Sequence, residues 1–236
     1  MSSLSFLSVI IESMKVSVVI PAYNEEKYIG ACLDCFMKQE VPADEVIVIN
    51  NNSTDQTEVI AKKYPVRILD LKEQGVIRAR NVGYDKAKYD IIARTDADTL
   101  VPENWIKRIK EDFGSMDIDA LTGPISYYDT PIKSPKFSQL FYSAAEQLFH
   151  YPMLIGPNMA ITKKIWRKIR KDVCLDPHEV HEDIDIGIHI ATVGGKIYTD
   201  RDLIVQSSGR RIVKKPQSFF IEYTQRLIKM NQTHGI

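Results

Sequence analysis

Asp96 and Asp98 flank a single alanine, Ala97. Two carboxylates this close repel each other, so the pair is stabilised when a cation or ligand hydroxyls sit between them. Hard cations such as Mg²⁺ and Mn²⁺ take oxygen ligands, often one or two carboxylates completed by substrate phosphates. The triplet occurs in many solvated loops. What gives it weight here is its place, directly after an apolar run and just before a helix with Pro102 in its first turn. Two more polar segments follow short apolar runs, Pro21-Ala22-Tyr23-Asn24-Glu25 and Asn50-Asn51-Asn52-Ser53-Thr54-Asp55. The first has neither the G-x-G-x-x-G of a dinucleotide site nor the G-x-x-x-x-G-K-[ST] of a P-loop. Phosphate handling is therefore left to a metal and basic side chains.

Other reactive groups read more simply as structure. His178-Glu179-Val180-His181 is not the H-E-x-x-H of a zinc protease. Cys32 and Cys35 fall inside an expected helix as two small core residues, not at the strand-to-helix turn that activates a redox pair. Glu182 and Asp183 open a helix, where acids complement the dipole whatever else they do. From Ile161 to Val173, apolar residues (Ile165, Trp166, Ile169) share one side and Lys163, Lys164, Arg167, Lys168, Arg170 and Lys171 fill the rest. Packing of that apolar side into the core is favoured over a membrane-surface helix.

The elements that must position these groups alternate. Buried strands are expected at 16–20, 45–49, 66–69 and 90–94, each a short apolar run. Between them come helices from Asn24 to about Gln39, from Ser53 or Thr54 to Tyr64, and from Gly75 through Lys86, with another from Pro102 to Phe113. Such alternation predicts an α/β fold with a mostly parallel sheet covered on both faces, and ligands then bind beyond the carboxyl ends of the strands. The second half is less regular, with a strand at 120–128, helices at 138–149, 182–193 and 219–230, and short strands at 159–161 and 197–198. We expect a leader at 1–13 and one domain over 14–236, divided into a nucleotide-binding half (14–115) and an acceptor-binding half (116–236).

The chain has 236 residues, with 31 Lys plus Arg against 31 Asp plus Glu, so no basic excess signals nucleic acid. Three cysteines, an odd number, and no run long enough to span a membrane suggest a cytoplasmic protein, at most peripheral at the cytoplasmic membrane face.

Val18-Val19-Ile20-Pro21-Ala22-Tyr23-Asn24-Glu25, the 50–57 segment, Gly75-Val76-Ile77-Arg78-Ala79-Arg80-Asn81, Asp96-Ala97-Asp98, Gly156-Pro157-Asn158 and Glu182-Asp183 follow in an order and spacing that resembles family 2 glycosyltransferases of the GT-A fold. The resemblance spans roughly residues 15 to 210. It implies an inverting, metal-dependent transfer of one sugar from a nucleoside-diphosphate sugar to a hydroxyl of a glycan or lipid-linked acceptor. It places Pro21, Ala22, Tyr23, Glu25, Asn51, Arg80, Asp96 and Ala97 at the nucleotide. Asp98, with Asp96, takes the Mn²⁺ or Mg²⁺, Asp183 is the base with Glu182 beside it, and Asn158, His181, Arg210 and Arg211 border the donor and acceptor. The position of Asn51 is often Asp in the family, which leaves the base open among uridine, guanosine and thymidine. The processive Q-x-x-R-W signature is missing, favouring single-sugar transfer over polymer synthesis. Two rivals stand beside this reading: a sugar nucleotidyltransferase, whose glycine-rich first loop is not found here, and a non-catalytic nucleotide-sugar-binding module.

Overall fold

The structure, a computed structural model, describes residues 13–131, 133–149, 153–214, 226, 229 and 230. The expected leader, apart from Ser13, and nearly all of the expected terminal helix lie outside these residues. No helix among the described residues is long and apolar enough to cross a membrane.

Strand β1 (Val16–Ala22) is buried on both faces, and its alternation divides the protein into two cores. Val16, Val18 and Ile20 pack with helix α1 (Ile29–Met37) and helix α4 (Trp105–Ser115) on one side. Val19 packs with α3 (Val76–Lys86), α6 (Lys163–Ile169) and α7 (Glu182–Thr192) on the other. The remaining helices are α2 (Thr57–Ala61), α5 (Lys136–Phe149) and α8 (Arg210–Lys214). Ile165, Trp166 and Ile169 of α6, with Val173, are buried in the second core, so their apolar side is occupied by the protein itself.

The main sheet has seven strands in the order β3-β2-β1-β4-β8-β6-β9. These are β2 (Glu45–Asn50), β3 (Arg67–Asp70), β4 (Ile91–Arg94), β6 (Ala120–Thr122), β8 (Met159–Thr162) and β9 (Ile197–Thr199) beside β1. Only β8 runs antiparallel to its neighbours, β4 and β6. The carboxyl ends of β1, β2, β4, β6 and β9 therefore share one edge.

A second sheet, β5 (Thr99–Leu100), β10 (Val205–Ser207) and β7 (Ile125–Tyr127), was not expected. It arises because the run expected as one strand over 120–128 breaks at Gly123-Pro124. A Cβ on Gly123 would lie 2.2 Å from the Leu203 carbonyl oxygen, so only glycine permits that crossing. The helix expected from Asn24 begins later, at Ile29. Asn24 has a positive φ of 53° and is a turn residue rather than a cap, its side chain accepting from the Thr54 amide at 2.8 Å.

Candidate active site

The first two loops are laced together at the carboxyl edge. The Asn51 amide donates to the Ala22 carbonyl at 2.8 Å, the Glu25 amide to Thr57 Oγ1 at 2.7 Å, and the Glu26 amide to Asp55 at 3.0 Å. Asn51 is buried and its Oδ1 accepts from the Gly75 amide at 2.8 Å, which ties the start of α3 to the second loop. Tyr23 projects outward, 39% exposed, beside these loops. Pro21 and Ala22 close β1, and Ala97 is buried in the first core beneath the third loop.

Asp96 and Asp98 follow β4 and face different cations. Asp98 Oδ2 lies 3.1 Å from Arg210 Nη2, and Arg210 also forms a two-pronged ion pair with Glu25. Its guanidinium sits 4.5 Å over the Tyr28 ring. Burial opposes the Arg210 charge, but Glu25 and Asp98 outweigh it and hold its proton more firmly than usual. Arg210 thus joins the loops after β1 and β4 from the start of α8, where Arg211 follows it.

The cation facing Asp96 is Arg94, the last residue of β4 and only 4% exposed. Its Nη2 lies 3.1 Å from Asp96 Oδ1 and 2.5 Å from Glu182 Oε1. Burial alone would weaken this cation, yet Glu182 and then Asp96 more than compensate. Glu182 is shared with a second buried arginine. Arg80 Nη1 lies 3.1 Å from Glu182 Oε2 and donates to the Glu182 carbonyl at 2.7 Å, while Nε and Nη2 donate to Asn81. Arg80, expected at the nucleotide, is fully buried, and its charge is directed to the start of α7. Beneath both arginines, burial pushes the Tyr84 hydroxyl up to about 12.

Asp183 is the next residue of α7. One carboxyl oxygen accepts from the Gly156 amide at 2.9 Å and the other from the Ile184 amide at 2.9 Å. Burial first, and the Glu182 charge second, raise its pKa, against the Gly156 hydrogen bond, Arg94 and His181. Gly156 opens a turn that Thr95 Oγ1 holds by donating to the Pro157 carbonyl at 2.8 Å. A Cβ at Gly156 would come within 3.2 Å of the Arg94 guanidinium, so this close approach suits glycine. His181 precedes α7 as its cap residue.

Asn158 has a different place from the expected pocket. It is fully buried, donates to the Pro124 and Leu203 carbonyls and accepts from Trp105 Nε1 at 2.9 Å. Its amide braces the break between β6 and β7. Arg94 and Tyr28 are neighbours of these residues that motif matching did not single out, and Gly156 lies in a matched motif without an assigned role. Arg94 had a legible signal, a lone cation ending an apolar strand just before two acids.

Among the described residues no three His, Cys, Asp or Glu side chains gather as a ready-made metal site. The two carboxylates after β4 have the donor chemistry of a hard-cation site completed by phosphate oxygens, and each is engaged by an arginine, Asp96 by Arg94 and Asp98 by Arg210.

Residues 17–171 match the family described as Glycosyl transferase family 2. The chain belongs to that family. The glycosyltransferase GlyG of Streptococcus pneumoniae serotype 4 is 32% identical over 120 residues, which are 48% of this chain and 40% of GlyG. The chain thus spans less than half the length of that relative. Among solved structures, the mannosyltransferase PcManGT from Pyrobaculum calidifontis, in complex with GDP-Man and Mn²⁺, superposes with a TM-score of 0.72 at 22% identity, over 93% of this chain and 63% of its own. Glucosyl-3-phosphoglycerate synthase from Mycobacterium tuberculosis, with Mn²⁺ and UDP, gives 0.70 at 17% identity over 100% of this chain and 85% of its own. The fold is the expected GT-A fold.

Proposed function

We propose that this protein moves one sugar from a nucleoside-diphosphate sugar to an acceptor hydroxyl with inversion at the anomeric carbon. The observation that carries the reading is the ionic chain Asp96–Arg94–Glu182. It sets the donor-side acid and the start of α7, which bears Asp183, against one buried guanidinium. The laced first and second loops, with Tyr23 and Asn51, form the nucleotide side, within 14–115. The 116–236 half supplies the acceptor side.

Asp183 is the base. Its carboxylate takes the proton of the acceptor hydroxyl as that oxygen attacks the anomeric carbon. The bond to the diphosphate breaks on the opposite face, and the electron pair leaves with it. The Gly156 amide holds one carboxyl oxygen in place, and the raised pKa makes the group a stronger proton acceptor than an ordinary aspartate. Arg210 offers a guanidinium fork suited to diphosphate oxygens. Asp98, with Asp96, would hold Mn²⁺ or Mg²⁺, which offsets charge growing on a leaving diphosphate. The Mn²⁺ complexes of PcManGT and of the mycobacterial synthase support that assignment. The three free cysteines support a cytoplasmic setting. The acceptor would be a glycan, free or lipid-linked, and any membrane contact would be peripheral, through the exposed cations Lys164, Arg167, Lys168 and Lys171.

A thermal-shift series with UDP and GDP, with and without Mn²⁺, followed by product analysis with UDP-GlcNAc, UDP-glucose and GDP-mannose, tests the reading. A nucleotide at 100 times its Kd stabilises by about 2.7 kcal/mol. Release of nucleoside diphosphate is expected. Pyrophosphate release from a triphosphate and a sugar phosphate, or no shift with any nucleotide, overturns it.

A further inference from the structure

The molecule has a cavity of about 260 Å³ that no motif pointed to. It opens beyond the carboxyl ends of β6 and β9, between those strands and α5, with Thr122 and Thr199 on its wall. β6 is antiparallel to β8 and β8 to β4, so this is the same edge of the sheet that carries the first three loops. The strand order sets the cavity on the far side of β8 from the donor loops.

One lining residue is covalently next to the group that holds the proposed base. Ile155 lines the cavity, and its amide donates to Thr122 Oγ1 at 3.1 Å. The next residue is Gly156, whose amide holds Asp183. The cavity wall and the group that holds the base are thus one peptide apart, about 3.8 Å between Cα atoms. The volume falls a little below the usual range for small-molecule pockets, about 300–1,000 Å³, which suits one sugar or polyol unit rather than a whole nucleotide sugar.

The lining has two characters. Met153 and Ile155 are buried and apolar, a surface for the C–H face of a ring or polyol. Lys136 and Arg201 are exposed at the rim, and neither pairs with a described carboxylate. The carboxylate of the lining, Glu146, accepts from Thr199 Oγ1 at 3.3 Å. Two cations and one hydrogen-bonded acid favour an anion, and a guanidinium beside an ammonium matches phosphate oxygens.

We infer that this cavity is the acceptor subsite and that its occupant is a phosphate-bearing sugar or polyol unit. The inference rests on the glycosyl-transfer reading and adds the acceptor class to it. The phosphate lies at Lys136 and Arg201, the carbon skeleton lies on Met153 and Ile155, and the free hydroxyl is directed past Gly156 toward Asp183.

Amide NMR spectra of the full chain, saturated with UDP and Mn²⁺, test this with four probes: glucose 6-phosphate, glycerol 3-phosphate, inorganic phosphate and glucose, each at millimolar concentration. At least one phosphorylated probe should move the Gln139, Ser143 and Ile155 signals, with glucose and inorganic phosphate at least tenfold weaker. Lys136→Glu and Arg201→Glu should each weaken that probe at least tenfold while UDP binding stays as in the unaltered protein. Silence of these amides toward every probe overturns the inference. So does equal binding of glucose, equal binding of inorganic phosphate, or unchanged binding in both variants. Failure of both UDP and GDP to bind the unaltered protein is read out separately and overturns the donor reading.

Discussion

Arg94→Met removes the guanidinium that joins Asp96 to Glu182 and keeps an apolar stem of similar length in the same space. Removing one partner of a buried ion pair costs about 3–5 kcal/mol, because the other charge is left without compensation. Glu182 retains Arg80 at 3.1 Å, and Asp96 is 36% exposed and regains water, so the lower end, about 3 kcal/mol, applies. In a protein of this size each kcal/mol shifts the Tm by about 2–4 °C, which gives a fall of ~6–12 °C. Glu182→Gln should cost a comparable amount by removing the carboxylate that both buried arginines share, Arg94 keeping Asp96 and Arg80 keeping Asn81. The two changes touch one contact, so the double variant should be less destabilised than the sum, by about 1–3 kcal/mol. Thermal denaturation of the four proteins at pH 7, followed by circular dichroism, measures the cycle. Strict additivity, or a Tm for Arg94→Met within about 3 °C of the unaltered protein, refutes the argument. The same loss should lower turnover more than donor affinity, since the first two loops are laced together without Arg94.

Asp183→Asn keeps the shape and cannot accept a proton, so turnover should drop by about 100- to 10,000-fold with UDP binding unchanged. In the unaltered protein, activity should fall with acid at a higher pH than an ordinary aspartate would give, because burial and Glu182 raise the Asp183 pKa, and a pH–rate profile checks this. Arg210→Gln removes the ion pair that Arg210 makes with Asp98, so Mn²⁺ should bind without nucleotide about 2- to 5-fold more tightly by electron paramagnetic resonance; weaker binding removes Asp98 from the cation's ligands. Burial and the Asp200 charge push the Asp112 carboxyl up to about 6. The folded state then holds the extra proton, so stability should decline as pH rises from about 4 to about 6. Asp112→Asn should remove that decline in urea titrations run across the window.

The parts of the molecule legible in sequence were those where one physical signal acts over several residues. The apolar runs of β1, β2 and β4 are buried on both faces, and a run of that kind has few other uses. The polar loops after them are placed by topology alone. The second sheet escaped because its strands are only two or three residues long, too short for any period to show. Asn24 has the composition of a helix cap, and only the partner loop, through the Thr54 amide, makes it a turn. Arg80 and Asn158 carry the right letters for ligand contact but are buried, and burial depends on segments more than 30 residues away. The cavity beside Gly156 is assembled from stretches between 122 and 201, each unremarkable alone.

The ion pair between Arg210 and Glu25 joins residues 185 positions apart. A ribosome adding about 5–20 residues per second needs roughly 10–40 s to travel that distance. Throughout this interval the loop after β1 lacks the guanidinium that later holds it, and Asp98, made part-way through, joins Glu25 and Tyr28 in awaiting their shared partner. Sheet pairing of β1 with β2 and β4 needs only residues up to 94, so the frame of the donor side precedes its final clasp. A growing chain would therefore carry the loops after β1 and β4 without this clasp until residue 210 has been made.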